Sequence, residues 1–193
     1  MNNVIRIDRS LIGVVERQSG QPISTCYQCR KCTAGCPTAY AMDFDPAQIV
    51  RLVQLGQRDA LLASKAIWLC VGCETCGTRC PNQICVGKIA DALKAMAIEA
   101  GVRPGEPSVY RFHQAFLNSI RRFGRVHEVT MLVGYKLRAG NLLADLDLGL
   151  KLLLAGKLPL IPSLVRTRRH IARLFANEDT HPREPEEEKH WHA

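Results

Sequence analysis

The chain has 193 residues, 47% hydrophobic and 6% aromatic, with 26 Lys/Arg against 18 Asp/Glu for a formal net charge of +8. That composition excludes a wholly disordered chain, and no run approaches the roughly 18 apolar residues of a membrane span, so direct membrane insertion is not expected. Met1 to Gly20 carries charges throughout and has no apolar signal core, so a soluble cytoplasmic protein is expected.

Taken in chain order, residues 9–18 read as a short helix carrying Leu11, Ile12 and Val15. CYQCRKCTAGCP follows, from Cys26 to Pro37, with four cysteines at gaps of two, two and three residues. Asp45 and Pro46 then supply an N-cap and a first-turn proline for a helix with apolar Ile49, Leu52 and Val53, and Gly56 is a stop signal. Forty-four residues after Cys26 the cysteine pattern repeats as CVGCETCGTRCP, Cys70 to Pro81. Val86, Ile89, Ala90, Leu93, Met96 and Ala97 recur at helical spacing, closed by Gly101. Residues 102–107 form a Pro/Gly-rich break. Helical candidates at 108–122, 126–138, 141–155 and 163–175 follow, the third presenting Leu142, Leu143, Leu146, Leu150, Leu153 and Leu154 on one broad face. The tail from 177 onward is polar. The expected organisation is all-α: an α-helical ferredoxin-like domain (1–101), a C-terminal helical arm that contacts another subunit (102–176), and a mobile tail (177–193).

Nine cysteines without a secretory signal argue against a disulfide framework and for metal ligands. Zinc commonly takes two separated pairs of ligands. Here each run instead curls three cysteines into one tight loop and places a fourth before a proline, the pattern of two-cluster bacterial ferredoxins, in which that fourth cysteine ligates the other cluster. By this logic Cys26, Cys29 and Cys32 hold one 4Fe–4S cluster, completed by Cys80, while Cys70, Cys73 and Cys76 hold a second, completed by Cys36. The crossing explains why the pattern occurs twice. Two adjacent clusters favour electron conduction, although a structural role alone remains an alternative. Cys85 finds no vacant ligand position and reads as a small, partly buried residue.

Each oxidised cluster with four thiolates carries a charge of about −2, which offsets roughly half of the +8. Arg30, Lys31 and Arg79 lie inside the cluster loops, either compensating that charge or solvated. Trp68, Tyr27 and Tyr40 flank the ligands and read as core aromatics. His113, His127 and His170 read as surface residues. From Arg103 to Arg173 there are 13 Lys/Arg against 4 Asp/Glu. That surplus raises nucleic-acid binding, but no recognition helix or aromatic-interleaved basic stripe accompanies it. The sequence has no dinucleotide fingerprint, P-loop or catalytic triad spacing. It reads as a conductor, not a reaction site.

CYQCRKCTAGCPTAYAMDFDPAQIVRLVQLG and WLCVGCETCGTRCPNQICVGKIADALKAMA resemble the small iron–sulfur subunit of heterodisulfide reductases, and GRVHEVTMLVGYKLRAGNLLADLDLGLKLLLAGKLPLIP resembles the C-terminal arm of its bacterial members. The resemblance runs from about residue 10 to 175. It implies two 4Fe–4S clusters on the eight cysteines named above, and a non-catalytic subunit within an obligate hetero-oligomer. Its implied role is to relay electrons between two partners. One is the family's flavin-containing subunit, and the other is its CCG-repeat subunit, which reduces or forms disulfides. The alternative is the iron–sulfur subunit of another flavin-dependent dehydrogenase or quinone-linked complex. A nucleic-acid-binding protein with structural clusters is a remoter one.

Overall fold

A computed structural model describes residues 7–139, 151–152, 154–156 and 164–178. Every regular element among them is helical, as the spacing of apolar residues predicts. The chain divides into two compact units, residues 1–107 and 108–193.

The first unit is built on α1 (Leu11–Ser19), α2 (Lys31–Ala34), α3 (Pro46–Gln54), α4 (Arg58–Ala63), α5 (Ala66–Leu69), α6 (Thr75–Arg79) and α7 (Val86–Glu99). Two single 3-10 turns, Ile23–Thr25 and Ala39–Ala41, complete it. The longest of these helices, α7, is the packing centre: α1, α3, α4 and α5 all lie against it. Its Ile89, Ala90, Leu93, Met96 and Ala97 are buried with Leu11, Val15, Ile49, Val53, Leu61, Ile67 and Trp68. Each large aliphatic side chain removed from water there stabilises the fold by about 1.5–3 kcal/mol.

The local signals act as expected. Asp45 caps α3 through a full capping box: its carboxylate accepts from the Gln48 N–H, and the Gln48 side chain accepts from the Asp45 N–H. The Gln57 N–H donates back to Leu52 O at the end of α3, with Gly56 at φ 66° making the turn. Gly56 also packs against the Asp8 backbone so closely that a Cβ there would lie 2.4 Å from Asp8 O. Residues 102–107 belong to this unit. Gly105 sits on the end of α4, where an added Cβ would come within 2.5 Å of Ser64 O.

In the second unit, α8 (Pro107–Phe123) and α9 (Glu128–Ala139) meet through an edge-to-face contact of Phe112 with Tyr135, ring centroids 5.9 Å apart. His127 is 5% exposed, which corrects the expectation of a surface histidine. It begins α9: the Thr130 N–H donates to its Nδ1 and its own N–H donates to Ser119 Oγ, while its ring stands against Phe123. Helix α10 (Arg168–Glu178) starts five residues later than the 163–175 pattern predicts. Most of the 141–155 candidate, including Leu142, Leu143, Leu146, Leu150 and Leu153, lies outside the described residues; Leu152 and Leu154 are exposed. Among the described residues of this unit, only Ala115, Ser119 and His127 are buried, whereas Phe112, Phe116, Leu117, Leu132, Val133, Leu137 and Leu174 are exposed.

Candidate metal centre

The two cysteine runs fold alike. In each, the residues two and four places after the first cysteine adopt left-handed φ: Gln28 (56°) and Arg30 (62°), then Gly72 (64°) and Glu74 (57°). A short helix follows the second of these in both cases, α2 after Arg30 and α6 after Glu74. Alternating left- and right-handed residues curl a backbone into a nest whose N–H groups face inward, the geometry that receives an anion.

α2 and α6 pack against each other, so the runs are neighbours although 44 residues apart in sequence. Two contacts lock them. The Asn82 side-chain amide donates to Thr25 O. Arg79 lies across Gly35, where an added Cβ would meet Arg79 Cδ at 2.7 Å. One cavity is lined by Cys36 from the first run together with Cys70, Cys73 and Cys76 from the second. Its remaining wall includes Pro37, Met42, Ile49 and Val86. Cys26 and Cys32 are close enough to interact electrostatically, and Cys80 ends α6 where that helix faces α2.

The residues fit an iron–sulfur cluster. Four thiols share a wall that is otherwise largely apolar, with Glu74 its only carboxylate. Among the described residues, no three His, Cys, Asp or Glu side chains converge on the single point that a lone ion requires. A tetrahedral zinc with Zn–S of about 2.3 Å draws its sulfurs to within roughly 4 Å of one another. A cubane binds each thiolate through a different iron and spaces them more widely, which suits thiols spread around a cavity.

Amides are aimed at the sulfurs. The Gln28 N–H reaches Cys26 Sγ at 3.4 Å. The Gly87 and Val86 N–H groups, in the first turn of α7, bond to Cys76, where the positive end of a 14-residue helix favours a thiolate. Burial still pushes the Cys32, Cys70 and Cys76 thiols up from their ordinary value, so the metal-free chain holds these protons until ligation displaces them. Cys73 is held below its ordinary value by the Thr75 hydroxyl, 3.4 Å from its Sγ. Cys29 and Cys73, the middle cysteine of each run, are exposed.

Both loops are anchored by the MDFDP segment. Asp45, besides capping α3, accepts from Thr33 Oγ1 at 2.9 Å and pairs with Arg30 at 2.5 Å. Asp43 accepts from Ser64 Oγ and from the N–H groups of Lys65 and Ala66, all at 2.8–2.9 Å, and so fixes the start of α5, which leads into Cys70. Burial opposes ionisation of Asp43, but these hydrogen bonds outweigh it and lower its pKa. Sequence reasoning found the Asp45 cap and missed Asp43, whose three donors stand 21 to 23 residues away. It also missed Gln28 and the amides of Val86 and Gly87.

Other expectations divide. Cys85 is buried, as expected; its backbone N–H donates to Gln21 Oε1 at 2.6 Å and its thiol lies beside Cys76. Trp68 is core, but Tyr27 and Tyr40 are 72% and 91% exposed, which corrects their reading as packed aromatics. Arg30 is paired and not simply solvated.

Residues 22–84, which contain all eight cysteines of the two runs, match the family model of a 4Fe-4S dicluster domain. The chain is 32% identical over 101 residues to the iron–sulfur component of an H(2):CoB-CoM heterodisulfide,ferredoxin reductase from Methanothermobacter thermautotrophicus, a match covering 51% of this chain and 53% of that relative. The chain is like the small iron–sulfur subunit of heterodisulfide reductases. A second relative is the corresponding iron-sulfur subunit of the CoB–CoM heterodisulfide reductase of Methanopyrus kandleri, 26% identical over 166 residues, covering 67% of this chain and 84% of the relative. The matching component of the ferredoxin:CoB-CoM heterodisulfide reductase of Methanosarcina acetivorans is 41% identical over 81 residues, 42% of this chain and 32% of that protein. This heterodisulfide-reductase-like chain thus spans about half the length of the first of these relatives. Among its described residues, no helix is long and apolar enough to cross a membrane.

Proposed function

We propose that the chain is the electron-transfer subunit of a heterodisulfide-reductase-like complex and performs no bond chemistry of its own. In this reading Cys26, Cys29, Cys32 and Cys80 hold one 4Fe–4S cluster, and Cys70, Cys73, Cys76 and Cys36 hold the other. The observation that carries it is the cavity in which Cys36 joins Cys70, Cys73 and Cys76, because a crossed fourth ligand is what a two-cluster ferredoxin pattern requires. Each cluster, when bound, accepts and releases single electrons. The chain supplies thiolates, inward amide N–H groups and an apolar wall, and it keeps the two sites adjacent through α2 and α6.

The partners in this reading are a flavin-containing protein and a CCG-repeat protein, each like its counterpart in heterodisulfide reductases, in an obligate hetero-oligomer located in the cytoplasm. Residues 102–176 serve as the arm that contacts them and 177–193 as a mobile tail. The exposed Phe, Leu and Val side chains of the second unit support such a contact, since a basic helical unit with so little of its own core gains stability by burying those faces elsewhere.

The test is ligation and company together. Anaerobic purification is expected to recover both partners, with four iron and four sulfide per cluster, roughly eight of each on this chain. Cys36→Ser is expected to perturb the cluster of residues 70–76 and spare that of residues 26–32. Damage confined to the first run's cluster refutes the crossing, and recovery with a different dehydrogenase refutes the family's reaction.

A further inference from the structure

The two cysteine runs share a backbone but differ in one telling side chain. At the position two places after the first cysteine, both use left-handed φ, and in both the amide N–H of that residue reaches the first cysteine's sulfur: Gln28 to Cys26 and Gly72 to Cys70. Glycine adopts this conformation without steric cost, whereas a side chain there is strained. The second run uses the unstrained residue; the first does not. Strain of this kind persists where the surrounding structure has a use for the side chain. Here the use is visible. Gln28 Nε2 lies 3.4 Å from Cys26 Sγ, a second donor on a sulfur that already receives the Gln28 backbone N–H. The loop around it is open, between exposed Tyr27 and exposed Cys29, so the amide has water within reach and lies on the sulfur instead.

We propose that Gln28 is a tuning residue, which acts through Cys26 to raise the reduction potential of the cluster that Cys26 holds. This rests on the cluster reading above. The physical cause is charge. Reduction adds one electron to the cluster and its thiolates, no bond forms or breaks, and a donor hydrogen bond stabilises the more negative state. Gly72 offers the cluster of Cys70 the same backbone donor but no side-chain donor, so the two otherwise similar loops are made inequivalent at this position. An inequivalent pair gives a relay a preferred site for the electron, which two identical loops lack.

The test is a reciprocal exchange, made on the full chain reconstituted anaerobically with iron and sulfide. Gln28→Gly installs the residue that the second run carries at the same φ, so the loop accepts it. Gly72→Gln adds the missing amide at a position where an added Cβ meets nothing within 4 Å. Iron and sulfide content is measured first, and each sample is then titrated with dithionite while the spin-resonance signals of both clusters are followed. Gln28→Gly is expected to lower one midpoint potential and leave the other in place. A roughly tenfold change in the reduction equilibrium corresponds to about 59 mV for a one-electron couple. Gly72→Gln is expected to raise the other potential. If Gln28→Gly retains its full iron while neither potential moves, or if both variants move the same cluster, the tuning role is refuted. If the unaltered chain takes up no cluster, the underlying reading fails, and the iron analysis reports that before any potential is taken.

Discussion

Replacing Asp45 by alanine removes three interactions that bear on different parts of the first unit. Loss of the α3 cap costs about 1 kcal/mol. Loss of the Thr33 hydroxyl bond to a charged acceptor costs about 1.5 kcal/mol; Asp45 has a side-chain exposure of 15%, so that bond is only partly screened. The Arg30 pair contributes about 0.5 kcal/mol, because the Arg30 side chain is 66% exposed. Together these make Asp45→Ala about 3 kcal/mol less stable, a fall of roughly 10–20 °C in the melting temperature of a unit this size. Asp45→Asn keeps a good capping residue and an acceptor for Thr33 while losing the charge, and is expected to lose only about 1 kcal/mol. The assay is anaerobic thermal unfolding of the cluster-loaded protein, followed by circular dichroism. Equal losses in the two variants refute the reasoning, since they make the charge and not the cap the source of stability. The pH dependence carries the same logic. Burial opposes Asp45 ionisation, but the hydrogen bonds from Gln48 and Thr33 and the charge of Arg30 outweigh it and hold its pKa below the ordinary 3.8. Because the folded value is the lower one, this stabilisation is complete above the unfolded pKa and disappears as pH falls through the folded value.

Two further expectations concern packing. Gly56→Ala meets both a left-handed φ and the Asp8 carbonyl, whereas Gly20→Ala, at φ 63° with open space around it, meets only the conformational cost; urea midpoints are expected to show a cost of about 1 kcal/mol at Gly20 and a distinctly larger one at Gly56. Leu93→Ala empties the centre of the first unit, where Leu93 is fully buried. It is expected to cost 2–5 kcal/mol, and an unfolding midpoint that barely moves refutes α7 as the packing centre.

The helical class, the two cysteine loops and the cap and stop of α3 were all legible in the order of residues, because each depends on neighbours close together along the chain. Asp45, Pro46 and Gly56 act within one or two turns, and a CxxCxxC loop curls whatever surrounds it. The parts played by Gln28, Asp43 and His127 emerged only from the folded chain. Gln28 looks like an ordinary polar residue until its φ and its distance to Cys26 are known. Asp43 gains its role from donors beyond two intervening helices, and His127 is buried because Phe123 and Ser119 of the preceding helix fold back onto it. The meeting of Cys36 with Cys70, Cys73 and Cys76 required both kinds of information. Spacing predicts that a fourth cysteine leaves its own loop, but only the packing of α2 on α6 fixes which cavity it reaches, since short-range chain geometry limits directions while long-range contacts choose among them.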